Sequence, residues 1–203
     1  ALKQTNIVRM LAYSSVSQGG FILMPLAVAG TGDAAGPALK AVVVYLMIYA
    51  ATNLGAFAVI IAVARKTRSG EISSWGGLFN YAPGLAVMMT IFLASLAGIP
   101  PLGGWYAKFG AFRAVVEAGG GWGYSIAVIG AVNAVIATAY YITLMREMWM
   151  KPAPDGDETP IKVPAPLVAA VALCGIGTLV MGVLPGAVAR FGDLADLTHA
   201  FGG

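Results

Sequence analysis

The 203-residue chain is 59% hydrophobic and 10% charged, against the roughly 25% charged residues of soluble domains, so a bilayer is the solvent for most of it. Its formal charge of +3 is small and scattered over connectors, which excludes a nucleic-acid-binding chain. The single cysteine, Cys174, has no intramolecular partner and reads as a small packing residue.

Residues Ala1 to Arg9 lack the basic start, apolar middle and cleavage site of a signal peptide, and there is no initiator methionine. The chain therefore reads as a piece of something longer. About twenty residues cross the hydrocarbon core as a helix, and five apolar segments meet that length: 10–29, 38–64, 82–116, 122–147 and 165–189. The expected fold class is an all-α integral membrane domain filling residues 1–203. Turn-forming connectors separate the segments: Gly30-Thr-Gly-Asp33, Arg65 to Gly77, Gly119 to Gly121, and the proline- and acid-rich stretch Lys151 to Pro166.

The first segment carries Tyr13, Ser14, Ser15, Ser17 and Gln18, with Gly19-Gly20 expected at a close helix contact. The second carries Tyr45, Tyr49, Thr52 and, near its middle, Asn53. The third is longer than a straight crossing needs. Gly98, Pro100, Pro101, Gly103 and Gly104 lie inside it, so it is expected to be two half-helices joined at Gly98–Pro101. Between Glu71 and Arg113 the only charge is Lys108, just after that break. The fourth segment holds Asn133, Thr138, Tyr140 and Tyr141, and the fifth holds Gly175 and Gly177, read as packing glycines. Tyr81, Trp122 and Trp149 near segment ends read as interface anchors.

Lysine and arginine counts set the orientation, because short loops rich in them stay cytoplasmic. Lys3, Arg9, Arg65, Lys66, Arg68, Arg146, Lys151 and Lys162 fall on the side of the N-terminus; Lys40, Arg113 and Arg190 fall on the other. The N-terminal end is thus expected inside, and five crossings place Asp193, Asp196 and His199 outside. His199 reads as a solvated tail residue, and metal sites are not supported.

Lys108 is the leading candidate for chemistry. An intramembrane lysine costs roughly 2.5–3.5 kcal/mol on insertion scales and normally faces a protein interior or cavity on an ion or proton path; buried lysines also titrate readily. The alternative is snorkelling, with the amine at the interface. Against that, the segment continues through Phe109, Phe112 and Val115 before Glu117. Arg113 and Glu117 at i, i+4 read as a surface ion pair. Ser14, Gln18, Tyr49, Asn53 and Tyr140 are candidates for a hydrogen-bonded path, or equally for interhelical glue. The chain has no dinucleotide fingerprint, cysteine cluster or paired histidines, so any electron transfer takes place elsewhere.

Three stretches then become familiar: Ala1-Leu-Lys-Gln-Thr-Asn-Ile-Val-Arg-Met-Leu-Ala-Tyr-Ser-Ser15, Tyr49-Ala-Ala-Thr-Asn-Leu-Gly-Ala-Phe57, and Ser95-Leu-Ala-Gly-Ile-Pro-Pro-Leu-Gly-Gly-Trp-Tyr-Ala-Lys-Phe109. They resemble the antiporter-like membrane subunits of the proton-pumping NADH:quinone oxidoreductase, respiratory complex I, and most of all the N branch of that family. The resemblance covers essentially the whole chain. It implies the last five of fourteen helices in an inverted-repeat, antiporter-like fold, embedded in the bacterial inner (plasma) membrane. It implies that Lys108 is the proton station on the broken helix. Asn53 falls where the related subunit L has a lysine, and Gln18 where relatives often have a histidine. The family's upstream glutamate and lysines lie outside these residues.

The resemblance implies a subunit of a proton-pumping translocase with no cofactor of its own, the flavin, iron–sulfur clusters and quinone belonging to other subunits. Its implied partners are the neighbouring antiporter-like subunit M, the small subunit K and the lipid bilayer. Two further readings stay open: a cation/proton antiporter subunit of the multi-subunit sodium type, and a structural membrane-arm subunit with a vestigial lysine.

Overall fold

A computed structural model describes residues 1–193; Asp196 and His199 lie outside the described residues. Asn6 opens the first helix. Its side chain accepts from the backbone N–H of Val8 and Arg9 at 3.1 and 3.2 Å, so α1 (Ile7–Leu23) starts three residues earlier than the hydropathy suggests. Pro25 then tightens the chain into a 3-10 turn over Met24–Val28. A second helix, α2 (Ala35–Thr67), rises about 50 Å at 1.5 Å per residue. It ends with Arg65 and Lys66 in its last turn, where cations complement the helix dipole.

A short helix, α3 (Leu78–Tyr81), leads into the expected broken crossing: α4 (Pro83–Ala97), a non-helical stretch over 98–102, and α5 (Gly103–Ala118). Gly103 and Gly104, grouped with the break from sequence, instead form the first turn of α5. The long α6 (Gly120–Met150) follows. The fifth segment stops short of its expected end, because Pro185 lacks an N–H to continue the ladder. It gives α7 (Ala165–Val183) and then a short amphipathic α8 (Gly186–Asp193). Among the described residues, four helical stretches are long and apolar enough to cross a membrane, and α4 is a shorter apolar helix.

Neighbouring crossings run antiparallel. The start of α1 is tied to the end of α2 by Ile7 N–H to Gly70 O at 2.8 Å and Ile72 N–H to Thr5 O at 2.7 Å. The connector 151–164 returns to the same end: Lys66 Nζ donates to the carbonyls of Asp157 and Thr159 at 2.8 and 2.7 Å and lies 4.1 Å from the Tyr81 ring centroid. The Thr159 N–H, and after it the Lys66 charge, hold the Asp157 carboxyl below its usual range. At the opposite end α8 folds back on α2, with Lys40 paired to Asp193 and Val188 buried. Among the described residues, Gly19 and Gly20 do not make the expected close contact: a methyl group on either would meet none of them within 4 Å, and Gly20 borders an open groove of about 750 Å³ between α1 and α6. Gly175 is the tight position, where an added Cβ would fall 2.1 Å from Met88 Cε.

The core comes in two pieces. One gathers Leu11, Val59, Trp75, Met89, Phe92 and Leu144 around α4; the other gathers Phe21, Tyr45, Ile48, Ala111, Val115 and Val188 around α5. Between them lies a buried layer of Ser14, Gln18, Thr52, Ser95, Lys108 and Thr178. Leucine and phenylalanine need no partner in hydrocarbon; these groups do, and the break in the third crossing supplies part of it.

Candidate functional site at the helix break

An α-helix leaves its last four carbonyls without intrahelical partners. At the end of α4 these belong to Ala94, Ser95, Leu96 and Ala97. Gly98 N–H reaches Ala94 O at 3.1 Å and Ser95 O at 2.9 Å, and Ile99 N–H reaches Ala94 O at 3.0 Å. Leu96 O and Ala97 O remain, and Lys108 Nζ donates to them at 2.8 and 3.0 Å. The ammonium thus caps the negative end of the α4 dipole, 4.8 Å from the centroid of Phe21. Snorkelling is not its arrangement, since only 6% of the residue is exposed. No carboxylate pairs with it among the described residues. Hydrogen bonds to a charged group contribute about 1.5–3 kcal/mol each, so two of them offset an insertion cost of roughly 2.5–3.5 kcal/mol. The break and the lysine act as one device.

The local backbone makes room for it. Gly98 takes the left-handed conformation at φ 92°, and a Cβ there would stand 2.9 Å from Lys108 Cδ. Where α5 restarts, a Cβ on Gly104 would lie 1.8 Å from Ser95 O, so the two half-helices touch backbone to backbone. On the α7 side, Gly182 faces the same stretch, and a Cβ there would lie 2.1 Å from Pro101 O. The non-helical segment is therefore walled in by protein, the condition for its survival at membrane depth.

Gln18 sits at the centre of what surrounds the amine. Its Nε2 donates to Leu96 O at 2.9 Å, sharing that carbonyl with Lys108, and to Tyr141 OH at 3.2 Å. Its Oε1 accepts from Tyr45 OH at 2.6 Å. Tyr141 OH is in turn hydrogen-bonded to Ser14 Oγ. A connected path thus runs from Ser14 on α1, through Tyr141 on α6 and Gln18, to the carbonyl holding Lys108 on α5. A second chain crosses beside it: Gly104 N–H donates to Ser95 Oγ at 2.9 Å, Ser95 meets Thr52 at 3.4 Å, and Thr52 meets Thr178 at 3.2 Å.

Of the sequence candidates, Ser14 and Gln18 join Lys108. Tyr49 bonds Ser15 Oγ at 2.7 Å on a separate branch. Tyr140 OH is buried without a partner among the described residues. Asn53 is half-buried and outside both chains, while its neighbour Thr52 lies inside. Tyr141, Tyr45, Ser95 and Thr178 carry contacts that the leading candidates did not include. Arg113 and Glu117 form the expected exposed pair at 2.7 Å. No cluster of metal-ligating side chains occurs among the described residues.

Residues 1–136 match the family described as NADH:quinone oxidoreductase/Mrp antiporter, TM. The chain is 41% identical over 186 residues to NADH-quinone oxidoreductase subunit N 1 of Koribacter versatilis, covering 91% of this chain and 35% of that one. To subunit N of Heliobacterium modesticaldum it is 40% identical over 195 residues, 96% of this chain and 39% of the relative. It thus spans somewhat over a third of the length of these curated relatives. Among solved structures it resembles a chain of respiratory complex I from Thermus thermophilus with bound aureothin, at TM-score 0.74, 27% identity, and 93% and 40% coverage of the two chains. A chain of the Mrp complex from Dietzia sp. DQ12-45-1b shares the fold at TM-score 0.81, 20% identity, and 97% and 43% coverage.

Proposed function

The chain belongs to the NADH:quinone oxidoreductase/Mrp antiporter family, and from that premise we propose that it is the output part of a proton-translocating membrane subunit of an NADH:quinone oxidoreductase. It corresponds to the last five of fourteen helices. The observation that carries this reading is Lys108: an ammonium buried at mid-chain, capped by the two freed carbonyls of a broken helix, and lacking a carboxylate partner among the described residues.

Such a group can give up its proton without breaking an ion pair. With Lys108 protonated, Leu96 O and Ala97 O hold it. A change in charge nearby shifts the balance, because Coulomb interaction at about 4 Å is roughly 4 kcal/mol at an effective dielectric of 20 and about 1 kcal/mol in water. Gln18, Tyr141 and Ser14 form the path on the input side. The redox chemistry that drives the cycle, with its flavin, iron–sulfur clusters and quinone, belongs to other subunits, and the neighbours proposed are the antiporter-like subunit M and the small subunit K. In the bacterial plasma membrane the end holding Lys3, Arg65 and Lys151 faces the cytoplasm, and α8 faces the periplasm.

The test is NADH-driven proton pumping in membrane vesicles, wild type against Lys108→Met, with electron transfer to an artificial acceptor recorded to check assembly. Pumping is expected to fall while electron transfer to the acceptor persists. Near-normal pumping by Lys108→Met overturns the proposal and favours a structural role, and a strict sodium requirement favours the cation/proton antiporter reading.

A further inference from the structure

Where α8 folds back on α2, a groove of about 420 Å³ opens between α2, α5 and α8. Neither Lys108 nor any partner of its ammonium lines it. The lining is built largely of small residues, among them Gly36 and Ala41 on α2 and Ala107, Gly110 and Ala114 on α5, with Phe109 half-exposed beside them. A methyl group on Gly36 or Gly110 would meet nothing within 4 Å among the described residues. No contact among those residues therefore requires glycine at either position, and both leave the groove open to an occupant from outside.

Four charges stand at this groove, two of each sign. Lys40 on α2 pairs with Asp193 on α8, and Arg113 pairs with Glu117 one turn further along α5. Lys40 is in the second turn of α2, and Arg113 and Glu117 are in the last two turns of α5, so the charges gather at one end of the bundle. Arg113 lies about 7.5 Å nearer that end than Lys108, at 1.5 Å per residue. The short helix α8 buries Val188 and exposes Phe191, the pattern of a segment lying along a membrane surface. The apolar groove thus opens at the depth of lipid headgroups. All four charged side chains are at least 43% exposed; exposed pairs of this kind contribute little and exchange partners readily.

We propose that this groove binds one zwitterionic phospholipid with a primary ammonium, of the phosphatidylethanolamine class. An acyl chain lies along the small residues of α2 and α5, and the headgroup inserts between the two ion pairs. The planar guanidinium of Arg113 matches a phosphodiester in two parallel hydrogen bonds, and Lys40 adds a point charge. The lipid ammonium donates to the carboxylates of Glu117 and Asp193. Two cations and two carboxylates sum to zero, so a neutral headgroup leaves the mouth neutral, whereas an anionic phospholipid leaves one carboxylate uncompensated. A choline headgroup is also zwitterionic, but its ammonium has no N–H to donate. The site is separate from the proposed proton path and does not depend on Lys108 titrating.

The test uses the intact membrane complex in phosphatidylcholine vesicles that carry a small fraction of phosphatidylethanolamine with a photoreactive diazirine on its acyl chain. After illumination, the labelled residues are mapped by peptide mass spectrometry. Label is expected within 36–44 and 106–114, and excess unlabelled phosphatidylethanolamine should lower it about fivefold more than excess phosphatidylglycerol or phosphatidylcholine, the worth of one exposed charged contact. Gly110→Leu fills the groove and should cut the label about fivefold or more, through lost contact with the chain. Glu117→Gln, at an exposed position, should keep the label but lower the preference for the ethanolamine headgroup about threefold. Electron transfer to an artificial acceptor checks that each variant is assembled. Equal competition by the three lipids overturns the proposal, as does label no denser here than on the outward-facing stretch 128–136 of α6, the mark of ordinary surrounding lipid. Absence of label from the groove also overturns it and points to another protein segment as the occupant. Because labelling is read rather than pumping, failure here and failure of the Lys108→Met test are told apart.

Discussion

Gly104→Ala offers a sharp test of how the two half-helices meet. The added methyl would sit 1.8 Å from Ser95 O and 2.6 Å from Ser95 C. Side-chain Cβ atoms essentially never come within 3.0 Å of another heavy atom, so α5 must retreat from α4 by about 1.2 Å, and Ser95 cannot yield because its carbonyl already accepts from Gly98 N–H at 2.9 Å. The same retreat carries Lys108 away from Leu96 O, stretching a 2.8 Å bond toward about 4 Å, past hydrogen-bond reach. Overpacking of this kind costs about 1–3 kcal/mol, and weakening one bond to a charged group adds about 1.5–3 kcal/mol. A thermal melt of the purified protein in detergent, followed by tryptophan fluorescence, is expected to show a fall in midpoint of several degrees. Vesicle pumping should fall with it. Gly110→Ala is the control on the same helix, because its methyl meets nothing within 4 Å among the described residues. Alanine there should match or exceed wild-type stability by up to about 1 kcal/mol. Equal melting and pumping for Gly104→Ala and Gly110→Ala would refute the backbone contact on which the site depends.

Other variants probe the surroundings. Gln18→Leu removes the donor to Tyr141 and leaves its hydroxyl and that of Tyr45 without an amide partner; a cost of about 1–3 kcal/mol is expected by the same melt, with pumping reduced and Gln18→His restoring part of it. Tyr141→Phe cuts the link between Ser14 and Gln18 while keeping the ring packing, so stability should change by less than about 1.5 kcal/mol while pumping declines; unchanged pumping would take Ser14 off the path. Lys66→Met frees the connector 151–164 from its clamp on Asp157 and Thr159, and protease cleavage within 152–163 should become several-fold faster without loss of pumping.

The helix break and the lysine were legible in the sequence because both violate hydrocarbon rules: two prolines and several glycines inside an apolar run, and a lone amine in 41 residues of uncharged chain. What the sequence could not convey was rotation about each helix axis. Asn53 is the more polar residue of its pair, yet Thr52 enters the buried layer, because one residue along a helix turns the side chain by about 100°. Tyr140 and Tyr141 show the same thing, the second bonded to Gln18 and the first without a hydrogen-bond partner among the described residues. Ser95 carried a signal in its position three residues before Gly98, where a helix end frees carbonyls and a nearby hydroxyl can meet the restarting helix. Gly19-Gly20 has no close neighbour among the described residues, and glycine marks close packing only where one is present.

The divided core has a mechanical meaning. α4 belongs to one apolar cluster and α5 to the other, so the ammonium is mounted on one block and the carbonyls that grip it are mounted on the next. Apolar side chains slide past one another with little change in energy over a few tenths of an ångström, whereas a charged hydrogen bond weakens steeply with distance and angle. A slight rocking of one block on the other is therefore felt first at Lys108, before either core loosens. The joint is thus the place where a tilt of one block on the other would alter how firmly the Lys108 ammonium is gripped.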